Sequence, residues 1–241
     1  MSFRGLARKI LFSERVFRMM SGEYTRSVPN LYATYTPWYV SPFAEHYARI
    51  RDKTEVSPDR CYFLQKFAAH CCNLSGDFVE CGVYRGGTAY LIAETMKLKG
   101  GRDTLHLFDT FEGMPSIAAA DPSAHRPGDF GRTSLSEVRA FLSAFDFVRY
   151  YPGRIPETLG PLDSFRFAFV HVDVDLYDSA KSSCEFFYDR LVNHGMMVFD
   201  DYGFQDYSGS AKRAVDEFLQ DKLEEPIVLP TGQCLMIKSA L

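Results

Sequence analysis

The chain has 241 residues, 46% hydrophobic and 24% charged, which suits one large domain with a buried core and an extension and excludes a disordered chain. A formal net charge of −4 gives no overall basic field and sets nucleic-acid binding aside, and no apolar run reaches the roughly 18 residues of a membrane span. Six cysteines at no zinc spacing read as reduced thiols, and the start carries charges through its apolar stretch, unlike a secretory leader, so a soluble cytoplasmic protein is expected.

Residues 1–30 hold six Arg or Lys against two Glu, with Phe3, Leu6, Ile10, Phe17 and Met20 in loosely helical spacing. Two readings stand: a helix on a membrane surface, or an arm packed on its own domain or on a partner subunit, which would make the protein a homo-oligomer through this region. Residues 31–60 are aromatic and proline-rich and read as a loop lying over the body, a lid. Arm and lid together take up 1–53, and the main domain runs over 54–241.

A helical pattern from residue 59 leads to the strand DFVECGVY (77–84), then to the helix GGTAYLIAETMKLKG, opening on glycines and closing on Gly100. TLHLFDTF (104–111) is the second strand. The polar loop DPSAHRPGDFGR (121–132) precedes the helix SLSEVRAFLSAF, the third strand VRYYPG and the fourth, FRFAFVHVDVD. The helix DSAKSSCEFFYDRL, the strand GMMVFDDY (195–202), the helix SGSAKRAVDEFL and two last strands, EPIVLP and QCLMIKS, complete the chain. Strand and helix alternate until a terminal hairpin, so the fold class is α/β, with a mostly parallel sheet and one antiparallel edge strand.

In such sheets ligands bind beyond the carboxyl ends of the strands, which makes the polar residues there informative. ECGVYRGGT (80–88) places an acid, a glycine turn and Thr88 where a helix begins, so backbone can approach a ligand and free N–H groups can meet an anion. The spacing departs from G-x-G-x-x-G, and a tight turn with packing glycines is the plain alternative. Asp109 ends the second strand near the spacing of about 20 residues expected between such a turn and an acid that accepts ribose hydroxyls. Asp173 and Asp175 end the fourth strand on one face and raise each other's pKa unless something positive lies between them. With Asp200 and Asp201 at the end of the next strand, they can converge on a hard cation, Mg²⁺ before Zn²⁺; separate helix caps are the alternative. His171, on the same strand face as the acids, reads as a core histidine with a place beside the metal ligands as the alternative, His106 reads as a strand residue in the core, and the Tyr and Phe residues between 32 and 47 read as either an acceptor-binding wall or lid packing.

DFVECGVYRGGTAYLIA, LHLFDTFEGMP, VHVDVDLYDSA, MMVFDDYG and AKRAVDEFL, in this order, resemble the macrocin-type O-methyltransferases, which use S-adenosylmethionine and Mg²⁺ to methylate sugar hydroxyls of antibiotics. The resemblance runs from about residue 54 onward and implies the Rossmann-like class I methyltransferase fold, a seven-stranded sheet with helices on both faces. It also implies a cofactor site with Glu80, Gly82, Gly86 and Thr88 around the methionine part, Asp109 at the ribose, and Arg85, Thr110 and Phe111 as further cofactor contacts, with Asp173, Asp200 and Asp201 holding the metal. Where the family tends to have Gly and Trp, this chain has Val174 and Tyr84. The first 50 residues and the 121–132 loop carry no family pattern and are the expected substrate-choosing parts.

The expected reaction is methyl transfer to a hydroxyl of a sugar or glycosylated natural product, the small-molecule acceptor. Asp175 is the expected general base, with Asp173, as both ligand and base, its competitor. A metal-dependent catechol or phenol O-methyltransferase, a Mg²⁺ phosphohydrolase and a non-catalytic nucleoside-binding protein are the rival readings. The phosphohydrolase reading would place its D-x-D at the end of the first strand, not the fourth.

Overall fold

The computed structural model describes residues 35–101, 103–118, 121–122 and 125–240. The arm expected over residues 1–30 lies outside the described residues. Strands β1 (Asp77–Cys81), β2 (Leu105–Asp109), β3 (Val148–Pro152), β4 (Phe167–Val172), β5 (Leu191–Phe199), β6 (Ile227–Val228) and β7 (Cys234–Ile237) form one seven-stranded sheet in the order β3-β2-β1-β4-β5-β7-β6. β7 runs antiparallel to β5 and pairs with the short β6, so the antiparallel element is the terminal hairpin, as expected from the sequence. Central β4 is buried at all of its positions because helices cover both faces, which is why FAFVHV reads as a continuous run rather than an alternation.

The helices are α1 (Phe43–Ile50), α2 (Pro58–Cys71), α3 (Gly87–Leu98), α4 (Leu135–Phe141), α5 (Tyr177–Tyr188) and α6 (Ala211–Leu219). Leu64 and Ala68 of α2, Ile92 and Met96 of α3 and Val138 of α4 pack with Phe78, Leu105, Leu107 and Phe169 on one face. Cys184 and Phe187 of α5 and Val215 and Leu219 of α6 pack with Val79, Phe108, Val170 and Met197 on the other. In α6 the buried positions Ala211, Ala214, Val215 and Leu219 fall at helical intervals, a narrow stripe under a charged outer face.

One expectation is corrected in secondary structure. Part of the presumed lid, Phe43–Ile50, is the helix α1, whose Phe43 and Ile50 pack with Val56, Cys61 and Leu91. Its helical stripe is hidden in sequence because two prolines and a run of aromatics precede it. Trp38, Phe43 and Tyr47 pack on one another or on Tyr62, so these aromatics are structural rather than a wall for an acceptor.

All six cysteines are free, and only Cys72 is partly exposed. Burial pushes the Cys71 and Cys234 thiols up to about 12 and the Cys72 thiol to about 11, so little thiolate is present at neutral pH. Native protein treated with iodoacetamide at neutral pH is therefore expected to alkylate slowly and at Cys72 first, whereas unfolded protein takes up six labels. Intact-mass spectrometry counts the adducts, and rapid labelling of Cys61 or Cys81 would contradict this core.

Candidate active site

The site is built where strand order reverses, between β1 and β4. Gly82 donates its N–H to the Phe108 carbonyl (2.8 Å), and the Asp173 N–H reaches the Cys81 carbonyl (2.8 Å), so the ends of β1, β2 and β4 are joined by backbone bonds. Gly82 adopts φ +87°, and a Cβ there would lie only 2.7 Å from the Asp173 carbonyl carbon. Asp109 organises the turn that follows: Oδ2 accepts from the N–H groups of Val83 (2.7 Å) and Tyr84 (2.9 Å), and Oδ1 from that of Phe111 (2.6 Å). Much of its hydrogen-bonding capacity is therefore taken up internally, a role that spacing alone did not suggest.

Gly82, Thr88, Asp109 and Thr110 line a cleft whose empty volume, open mouth included, is about 1120 Å³. Other residues of the expected cofactor set stand away from the lining. Glu80 is completely buried, with Oε1 2.9 Å from His171 Nδ1. Gly86 takes φ +85°, and its missing side chain would meet Val138 and Phe141 of α4. Phe111 is packed in the core, and Arg85, half-buried, is not among the lining residues.

Beyond β4 the structure differs from the expected strand end. β4 stops at Val172, so Asp173 and Asp175 stand in a connecting loop, and Asp175 has a positive φ of 60°. With the strand period gone, the two carboxylates do not share a strand face, although both lie close to Asp201. Asp173, Asp200 and Asp201 each offer an oxygen within 4.8 Å of the others. Burial, then the neighbouring carboxylates, raise Asp173 and Asp201 well above the usual carboxylate range. At Asp200 burial acts in the same direction, but nearby His171, the Arg60 guanidinium and the Gln233 amide outweigh it and hold the carboxyl below its ordinary value. Gln233 Nε2 donates to Asp200 Oδ1 (2.8 Å), Arg60 Nη1 donates to Asp200 Oδ2, and Asp201 Oδ2 is buried with no partner.

Residues 59–235 match the family model described as Macrocin-O-methyltransferase (TylF). The chain belongs to the macrocin O-methyltransferase family. It is similar to the 8-demethyl-8-(2,3-dimethoxy-alpha-L-rhamnosyl)-tetracenomycin-C 4′-O-methyltransferase of Streptomyces olivaceus, 32% identical over 140 residues that make up 53% of each chain. A second relative, the demethyldecarbamoylnovobiocin O-methyltransferase of Streptomyces niveus, is 32% identical over 159 residues, 61% of this chain and 59% of the relative. The chain thus spans about half the length of the curated relatives it matches. Among solved structures, the O-methyltransferase NovP superposes with a TM-score of 0.69 at 27% identity, covering 78% of this chain and 83% of that one.

Both departures from the family pattern, Tyr84 and Val174, line the cleft of this family member. Asp175 and Tyr207 line it too, and outside it His125 Nε2 lies 2.8 Å from the Tyr207 hydroxyl and 3.8 Å from Asp175 Oδ1. The described part of the 121–132 loop is fastened at the rim: Tyr177 donates its N–H to Asp121 Oδ1 (2.8 Å), and the rings of Phe130 and Tyr84 meet edge-on at 5.7 Å. His106 is held between Tyr151 and Asp77, a core histidine as expected, whereas His171 Nε2 lies 3.7 Å from Asp200 and so borders the acid cluster. Arg60, His125 and Tyr207 escaped sequence reasoning. Arg60 and Asp200, for instance, are 140 residues apart, and no local pattern pairs them.

Proposed function

We propose that the protein is an S-adenosylmethionine-dependent O-methyltransferase that methylates a hydroxyl of a sugar or glycosylated natural product with the help of Mg²⁺. The observation that carries this reading is that the Asp109-braced glycine turn and the triad of Asp173, Asp200 and Asp201 line one cleft. The names of the two Streptomyces relatives favour a glycosylated acceptor, and the membership in the family supports the chemistry.

The donor set suits a hard cation: three carboxylates, none of them Cys or His, one with a buried oxygen that has no partner. When bound, Mg²⁺ would polarise the acceptor hydroxyl and S-adenosylmethionine would supply the methyl group. The chain's own contribution is placement. Asp109 and Thr110 line the ribose end of the cleft and Thr88 the amino-acid end. Phe108, Ile155 and Leu176 exclude water from the cleft floor. Asp175, outside the triad, takes the proton that leaves the acceptor oxygen as the new C–O bond forms, so the products are a methyl ether, S-adenosylhomocysteine and a protonated carboxyl.

Calorimetric titration with S-adenosylhomocysteine tests the cofactor half. Wild type is expected to bind, and Asp109→Asn to lose about tenfold to a hundredfold in affinity, because an amide NH₂ opposed to the N–H groups of Val83 and Tyr84 unmakes the turn. No binding by wild type would refute the assignment. Radiolabelled methyl transfer to a panel of rhamnosides and catechols then separates acceptors, and transfer to catechols alone would refute the sugar reading.

A further inference from the structure

Arg60 projects from the first turn of α2 into the acid cluster. Its Nη1 donates to Asp200 Oδ2 and lies 3.9 Å from Asp201 Oδ1, with the side chain only 14% exposed. Nε donates to Ser57 Oγ (3.1 Å), Nη2 to the Glu55 carbonyl (3.3 Å), and the guanidinium lies over the Phe204 ring at 5.2 Å. The guanidinium thus faces a cluster in which Asp200 and Asp201 are buried and Asp173 is partly so, and it shares Asp200 with His171, whose Nε2 lies 3.7 Å from Oδ1. It covers an oxygen of Asp200 and leaves Asp201 Oδ2 with no partner.

A divalent ion and a guanidinium cannot both hold that Asp200 oxygen at short range. Mg²⁺ requires near-octahedral oxygen donors at about 2.0–2.1 Å, and two cations at that separation repel strongly in a dry site. We propose that Arg60 is a resident counter-cation of the acid cluster that competes with the divalent ion for Asp200 and is displaced when the ion binds. The inference rests on the metal reading given above. Its physical sense is protective, because the buried Asp200 and Asp201, left with less positive charge around them, would destabilise the fold whenever the ion is absent. The other anchors of Arg60, Ser57 and the Glu55 carbonyl, flank the cleft-lining residues Glu55 and Val56, so a displaced guanidinium stays tethered at the rim.

Full-length wild type and Arg60→Met, both free of cofactor, are titrated with Mg²⁺ by calorimetry and melted with and without saturating Mg²⁺. Competition predicts that Arg60→Met binds Mg²⁺ about tenfold or more tightly and gains more in Tm from the ion than wild type does, having lost its substitute charge. An affinity that is unchanged or weaker in Arg60→Met overturns the competition. If Arg60→Met fails to fold without the ion, recovery of a wild-type circular dichroism spectrum on adding Mg²⁺ supports replacement. If it stays unfolded even then, Arg60→Gln, which removes the charge but can still donate a hydrogen bond, is titrated instead: tighter binding supports the inference, and equal or weaker affinity overturns it. Absence of Mg²⁺ binding in both wild type and variant removes the metal reading and this inference together, and S-adenosylhomocysteine titration of the same samples shows whether the cofactor reading survives.

Discussion

Asp175→Asn is expected to lower methyl transfer about a thousandfold while Mg²⁺ and S-adenosylhomocysteine bind as they do to wild type. The argument begins with the backbone. Asp175 sits at φ 60°, a conformation that Asn tolerates nearly as well as Asp, so the substitution removes basicity without disturbing the loop. The side chain lines the cleft yet stands outside the cluster of Asp173, Asp200 and Asp201, close to His125. An Asn there keeps a hydrogen-bond acceptor but cannot take a proton, so the loss should fall on kcat. Steady-state kinetics with an acceptor found in the glycoside panel measures it. Turnover equal to wild type would move the base to Asp173, and a loss of Mg²⁺ affinity would make Asp175 a ligand instead.

Gly82→Ala is expected to destabilise the fold by about 3 kcal/mol, from the left-handed backbone and from overpacking, lowering Tm by roughly 10 °C for a domain of this size. It should also abolish S-adenosylhomocysteine binding. At φ +87° any Cβ is strained, and this one would press into the Asp173 carbonyl, a backbone group that cannot rotate away. To make room, the loop after β4 must move, breaking the bond from the Asp173 N–H to the Cys81 carbonyl and dragging Asp173 away from Asp200 and Asp201. Glycine turn and acid cluster would then fail together. Thermal unfolding and the two calorimetric titrations read this directly, and a variant as stable as wild type with either ligand still bound would show that the two sites are mechanically separate.

The alternation of strands and helices, the terminal hairpin and the cleft-lining strand ends were all legible in the sequence, because period and turn chemistry are local properties of the chain. The convergence of the strand-end acids was legible too, since acids at the ends of neighbouring parallel strands must come close once the register is set, and Val172 does pair with Phe199; the choice of Asp173, Asp200 and Asp201 among them came from the family resemblance. Tertiary structure decided what those acids meet. It ended β4 before Asp173, which sent Asp175 toward His125 and Tyr207, and it turned Asp109 toward the N–H groups of its own turn. It buried Glu80 against His171 and Phe111 in the core, although the family resemblance had grouped both with the cofactor-facing residues. It also brought Arg60 from α2 onto Asp200, a pairing with no sequence trace, because such contacts depend on how helices pack across the sheet and not on any neighbour along the chain.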